Sequence, residues 1–134
     1  MRGRLYPGET TGPGPEDFRV PIAIGRTEFT TLEALVDASV SYLMVPSDVL
    51  DRLGLVPEEE RPFTLPDGSE VRLPVTWARV RLHDREQPTI VVFGKPGSET
   101  RLGMVTLGQF CLAVDGVNQR LIPVPGRLGL VTVS

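Results

Sequence analysis

The sequence predicts an all-β chain with one or two short helices, and three observations predict it. Gly and Pro are plentiful, at 14 and 13 of 134 residues, which suits short strands joined by many turns better than a helical bundle. Apolar residues alternate at Phe18, Val20, Ile22 and Ile24, the period of a half-buried strand. Asp67-Gly68 stands between two alternating apolar stretches, the strongest short-range hairpin signal. The length is that of one domain with its own core, too short for two lobes.

The elements follow in order. Residues 1–16 carry Gly3, Pro7, Gly8, Gly12, Pro13, Gly14 and Pro15 with little apolar content, and read as a flexible arm ahead of a domain over 17–134. The first strand closes at a Gly25 turn, and residues 27–37, rich in β-branched side chains, return as the second. Residues 42–46 form a short apolar strand. A helix follows from Ser47 to about Leu55, with Ser47 as N-cap, Asp48 and Asp51 in its first turn and Gly54 as a left-handed C-terminal cap. Residues 57–62, with Glu58-Glu59-Glu60, read as a solvated acidic connection. The Asp67-Gly68 hairpin joins residues 63–65 to 71–75, and its second arm runs on through Trp77, Val80 and Leu82 to a polar turn over 83–88. Residues 89–93 return as a buried strand. Thr106 is a candidate cap for a helical turn over 106–110, and residues 112–115 and 120–124 make a final hairpin. A faint echo links the two halves, strand–turn–strand–helix around Asp37 and strand–turn–helix around Gly103.

Charge and cysteine content exclude several classes. A net charge of −3 without a basic block argues against nucleic acid and anionic membrane surfaces as partners. Cys111 is alone and His83 is the single histidine, so neither an intrachain disulfide nor a Cys/His zinc site is expected. No metal or organic cofactor is implied. With no signal-peptide pattern at the start and no apolar run of membrane-spanning length, the expectation is a soluble, cytoplasmic protein.

Asp37 carries the functional reading. It ends the apolar run Ala34-Leu35-Val36, where a carboxylate is costly unless it is paired, hydrogen-bonded or chemically used. The segment Leu35-Val36-Asp37-Ala38-Ser39-Val40-Ser41, continued by Tyr42-Leu43-Met44-Val45-Pro46, resembles the active-site loop of retropepsin-like aspartic proteases. There the signature is apolar-apolar-Asp-Thr/Ser-Gly-Ala-Ser/Thr. Two further stretches carry the resemblance: Thr64-Leu65-Pro66-Asp67-Gly68-Ser69-Glu70-Val71 is similar to the flap hairpin that closes over substrate, and Arg101-Leu102-Gly103-Met104 is similar to the apolar-apolar-Gly element behind the active site. The likeness covers most of residues 18–124 and looks like the bacterial single-lobe members.

The resemblance implies a single-lobe acid-protease β-barrel acting as a symmetric homodimer. Asp37 would be the catalytic residue, Ala38, Ser39, Val40 and Ser41 the active-site loop, and Leu65, Pro66, Asp67, Gly68, Ser69 and Val71 the flap, supported by Leu102 and Gly103. Such a protein hydrolyses peptide bonds with two aspartates sharing one proton, so a chain with one Asp must take the other from a second copy. Two departures bear on activity: Ala38 lacks the hydroxyl that bonds across the dimer, and Ser39 adds a Cβ where the family has Gly. Arg101 only weakens the match of the third stretch. The first reading is an aspartic endopeptidase impaired by the Asp-Ala-Ser motif; a catalytically inactive pseudopeptidase dimer that binds extended peptides in the same groove is the alternative, and a monomeric β-barrel interaction module is a third.

Bland readings fit the other candidates. Asp115-Gly116 reads as a hairpin corner, Asp67-Gly68 as turn chemistry outside its flap role, His83 as an exposed turn residue and Cys111 as a small core residue. Trp77 reads as packing, in the core or against a second chain.

Overall fold

The computed structural model describes residues 18–126 and 128; the arm expected over residues 1–16 lies outside them. The described chain is mostly β with two short helices, in the order β1 (Arg19–Gly25), β2 (Phe29–Val36), β3 (Leu43–Pro46), α1 (Ser47–Arg52), β4 (Glu59–Thr64), β5 (Glu70–Leu82), β6 (Arg85–Gly94), β7 (Arg101–Leu102), α2 (Met104–Gln109), β8 (Leu112–Asp115) and β9 (Arg120–Pro123). Seven strands form one sheet in the order β1-β2-β7-β3-β6-β5-β4, and β1 also pairs with β5, so the sheet returns on itself. The β8–β9 hairpin stands apart as a second sheet.

Period-2 alternation sends one set of side chains inside this sheet. Ile22 and Ile24 of β1, Ala34 and Val36 of β2, Leu43 and Val45 of β3, Ala78 and Val80 of β5, Val91 and Phe93 of β6 and Leu102 of β7 make the main core, closed by Leu50 of α1 and by Leu107 and Phe110 around α2. The intervening residues of β3, β5 and β6 turn to the other face. There Val75, Ile90 and Val92 form a second, smaller cluster with Tyr42, Met44, Phe63 and Leu73 packed on it.

The echo between the halves has a topological counterpart. β2 pairs parallel with β7 and β3 parallel with β6, while β3 and β7 meet antiparallel at Met44 and Arg101. Exchanging β2 for β6 and β3 for β7 maps the pairings onto one another, and a helix follows directly on β3 and closely on β7 in each half.

Local expectations change in instructive ways. The hairpin at Asp67-Gly68 forms, with Gly68 at φ +87°, but its first arm starts at Glu59, inside the stretch expected to be an acidic loop. Glu58 explains why acidity is tolerated there: its carboxylate accepts from the Thr76 hydroxyl at 2.9 Å and from Arg26 at 3.1 Å. The turn expected over residues 83–88 shrinks to His83-Asp84, because β6 pairs with β5 from Arg85 onward. Helix α1 ends at Arg52 rather than near Leu55, with Gly54 at φ +78° where a left-handed cap was expected. Pro46, not Ser47, is its N-cap residue, and no side chain caps it. Trp77 is 41 % exposed, so it does not pack in the core.

Thr106 differs most. It lies inside α2 and is fully buried, and its hydroxyl accepts the Leu43 backbone N–H at 2.9 Å. The hydroxyl that read as a cap thus joins α2 to β3. Thr106→Val keeps the shape and strands that N–H, so a loss of about 1–3 kcal/mol is expected. Urea unfolding of both chains reads it, and an unchanged midpoint would show that the bond contributes nothing.

Candidate functional site

The apolar run of β2 ends at Val36, and Asp37 is the first residue past it. Its backbone N–H donates to Leu102 O at 3.1 Å, which fixes the chain direction as it leaves the sheet. The Val40 N–H returns to Asp37 O at 3.2 Å, closing a tight turn with Ala38 and Ser39 exposed at its corner. The loop then docks on the start of α2. Met104 N–H donates to Val40 O at 2.9 Å and Val105 N–H to Ser41 O at 2.8 Å. Gly103, the buried N-cap residue of α2, makes this approach possible, since a Cβ there would lie 2.3 Å from Ser41 O.

Asp37 is saturated. Its Oδ1 accepts the Ser39 N–H at 2.9 Å and the Ser39 hydroxyl at 2.6 Å, and its Oδ2 accepts Arg101 Nη1 at 2.5 Å. The Asp37 side chain is 15 % exposed and that of Arg101 33 %. Burial pushes the Asp37 carboxyl up, but the Ser39 hydroxyl and N–H together with the Arg101 guanidinium outweigh it and hold the group below its ordinary value.

The Ser39 bonds are local turn chemistry. Asp67 and Ser69 repeat them, with Ser69 N–H and Oγ donating to Asp67 Oδ1 at 2.9 and 2.6 Å on the exposed hairpin tip. Arg101 is what sets Asp37 apart. It sits in β7 opposite Leu35 of β2 and Met44 of β3, and this register turns it to the face that carries the second apolar cluster.

Of the residues expected at the site, Asp37, Ser39, Val40, Ser41, Leu102 and Gly103 come together through these bonds, while the Ala38 methyl is exposed beside them. Leu102 reaches Asp37 only through its carbonyl, its side chain being fully buried in the main core. The hairpin residues Leu65, Pro66, Asp67, Gly68 and Ser69 are exposed at a tip closed by Leu65 N–H to Ser69 O, and Val71 pairs with Phe63 below it. No hydrogen bond or ion pair among the described residues joins this tip to Asp37. The hairpin is tied down at its base, where Phe63 meets Tyr42 edge-to-face with ring centroids 6.1 Å apart.

The Asp37–Arg101 pair escaped sequence reasoning, although a cation in an otherwise apolar strand beside Leu102-Gly103 was its signal. A shallow depression of about 360 Å³ lined by Arg26, Glu58, Trp77, Ala78, Arg79 and Pro88 holds none of the expected site residues. Among the described residues no group of three His, Cys, Asp or Glu side chains is placed to hold a metal ion, and no helix is long and apolar enough to cross a membrane.

The fold and site together define a mostly β chain whose strand-end carboxylate is neutralised by an arginine of its own sheet. Among solved structures it is similar to the solution structure of the simian foamy virus (mac) protease, at 18 % identity and a TM-score of 0.48, covering 68 % of this chain and 94 % of that one. No known family profile matches the chain, and no curated protein matches it.

Proposed function

We propose that this chain is a pseudopeptidase of the retropepsin-like type, a homodimer that binds extended peptides in a shared groove without cutting them. The observation that carries this reading is the Arg101–Asp37 ion pair. An aspartate dyad works because two carboxyls share a proton, one acting as acid while the other activates water. Arg101 sets a permanent positive charge against Asp37 where the dyad would hold a shared proton, and with Ser39 it keeps the carboxyl of the single chain below its ordinary value. The substitutions at Ala38 and Ser39 act in the same direction. Ala38 offers no hydroxyl across a dimer axis, and the Ser39 hydroxyl is engaged on Asp37 of its own chain.

Peptide binding needs none of this chemistry. Strand addition uses backbone edges and apolar pockets, and the second cluster supplies an apolar floor beneath a hairpin whose outer strand β4 pairs on one side only among the described residues. The endopeptidase reading retains one observation in its favour, the presence of Asp37 itself at the end of β2 with its carboxylate on the Arg101 side of the loop.

Light scattering at micromolar concentration should give twice the chain mass, and a quenched-peptide library incubated between about pH 4 and 7 should stay intact. A folded monomer would remove the shared groove. Cleavage that disappears in Asp37→Asn would return the protein to the endopeptidases.

A further inference from the structure

We infer that Arg101 is a carboxylate receptor, so the peptides this chain binds present an acidic side chain to its guanidinium. This rests on the peptide-binding reading and names the ligand class of the same groove. Arg101 gives Nη1 to Asp37, whereas its Nε and Nη2 have no partner among the described residues and its side chain is one-third exposed. The single Nη1 bond to Asp37 Oδ2 draws one end of the guanidinium to the loop. The open Nε–Nη2 edge then offers two parallel donors, the geometry that a second carboxylate accepts bidentately. Little is left to repel that ligand: Ser39 and Arg101 occupy both Asp37 oxygens, and the Asp37 charge is offset by the guanidinium.

The surroundings fit an extended ligand. Arg101 and Met44 are register partners on one face, followed across the sheet by Val92 and then Val75, with Ile90 and Tyr42 in the adjoining row. A strand laid across this face would set apolar side chains on the cluster and an Asp or Glu on the guanidinium. The site therefore reads one charge in an otherwise apolar context.

A randomised nonapeptide library displayed on phage and selected on the full chain tests this. Selection should enrich one Asp or Glu among apolar residues, and the winning peptide remade with Gln for Glu should bind the parent about tenfold more weakly. That preference should vanish in Arg101→Leu and weaken in Arg101→Lys, which keeps the charge but loses the fork; the Glu-against-Gln comparison on the parent needs no variant to fold. Enriched peptides without an acidic position, or equal binding of the Gln peptide, overturn the inference while the groove reading stands. Recovery of no peptide at all overturns both.

Discussion

The triple variant Ala38→Thr, Ser39→Gly, Arg101→Leu is expected to cleave peptides at least about a hundredfold faster than the parent, the lower end of what a positioned acid–base pair contributes. Restoring the loop alone, with Ala38→Thr and Ser39→Gly, is expected to fall well short. In that double variant Arg101 still faces Asp37 Oδ2, and each pK unit by which the carboxyl lies under the working pH leaves its acid form about tenfold scarcer. Removing Arg101 and the Ser39 hydroxyl leaves the upward push of burial opposed by backbone N–H alone, so the Asp37 pKa should rise in the triple variant. Its rate should then climb as pH falls from about 7 towards 5, where one carboxyl of a coupled pair is protonated and the other is not.

The sign of the stability change follows from the same shift. In the parent the folded-state value of Asp37 is depressed. Its stabilisation is complete above the ordinary carboxyl value near pH 4 and is lost as pH falls through the lower folded value. The triple variant should lose that contribution at neutral pH and so unfold earlier there, by an amount read from denaturant midpoints at pH 7 and pH 3. Hydrolysis rates, with Asp37→Asn added as the control, decide the catalytic half. A folded, dimeric triple variant without activity would show that the groove lacks more than a free carboxyl.

Much of the fold could be read because local rules coincide with it. The alternation in β1, the Asp67-Gly68 turn and the left-handed Gly54 each need only a few neighbouring residues to be recognised. Failures came where a polar group finds its partner far along the chain. Glu58 looks like part of a solvated run until Thr76, 18 positions on, donates to it. Thr106 looks like a cap until Leu43, 63 positions away, donates to its hydroxyl. The candidate site divides in the same way. Asp37 stands out because a carboxylate ends an apolar run, whereas its pairing with Arg101, 64 positions later, depends on the parallel β2–β7 register that sets Leu35 opposite Arg101. Arg101 in one strand and Asp37 at the end of another are separate features of the sequence, and only the register brings the two charges together.

Gly103→Ala is expected to be the most damaging single substitution near the site, lowering stability by about 3 kcal/mol or more. Gly103 sits at φ −92° and ψ 171°, an extended conformation open to any residue, so backbone strain is not the cause. Space is. An alanine Cβ would lie 2.3 Å from Ser41 O, 2.4 Å from Ser41 C and 2.6 Å from Val40 O, all backbone atoms that no side-chain rotation can move aside. Relief requires the Val40-Ser41 segment to leave α2, which breaks the bonds from Met104 N–H and Val105 N–H and shifts the turn that begins at Asp37. The Arg101 pair should loosen with it, and the proposed peptide binding should fail together with stability. Gly108→Ala, in the same helix, is the matched control: outside its own helix no atom of the described residues lies within 4 Å of its added Cβ, and replacing an exposed helical glycine should leave stability unchanged or raise it by about 0.5–1 kcal/mol. Thermal unfolding separates them, with Gly103→Ala expected to melt about 10 °C or more below the parent and Gly108→Ala at or above it. Equal melting of the two variants would mean that the loop can withdraw from α2 at little cost. The close approach of Gly103 to Ser41 would then not be what holds Asp37 against Arg101.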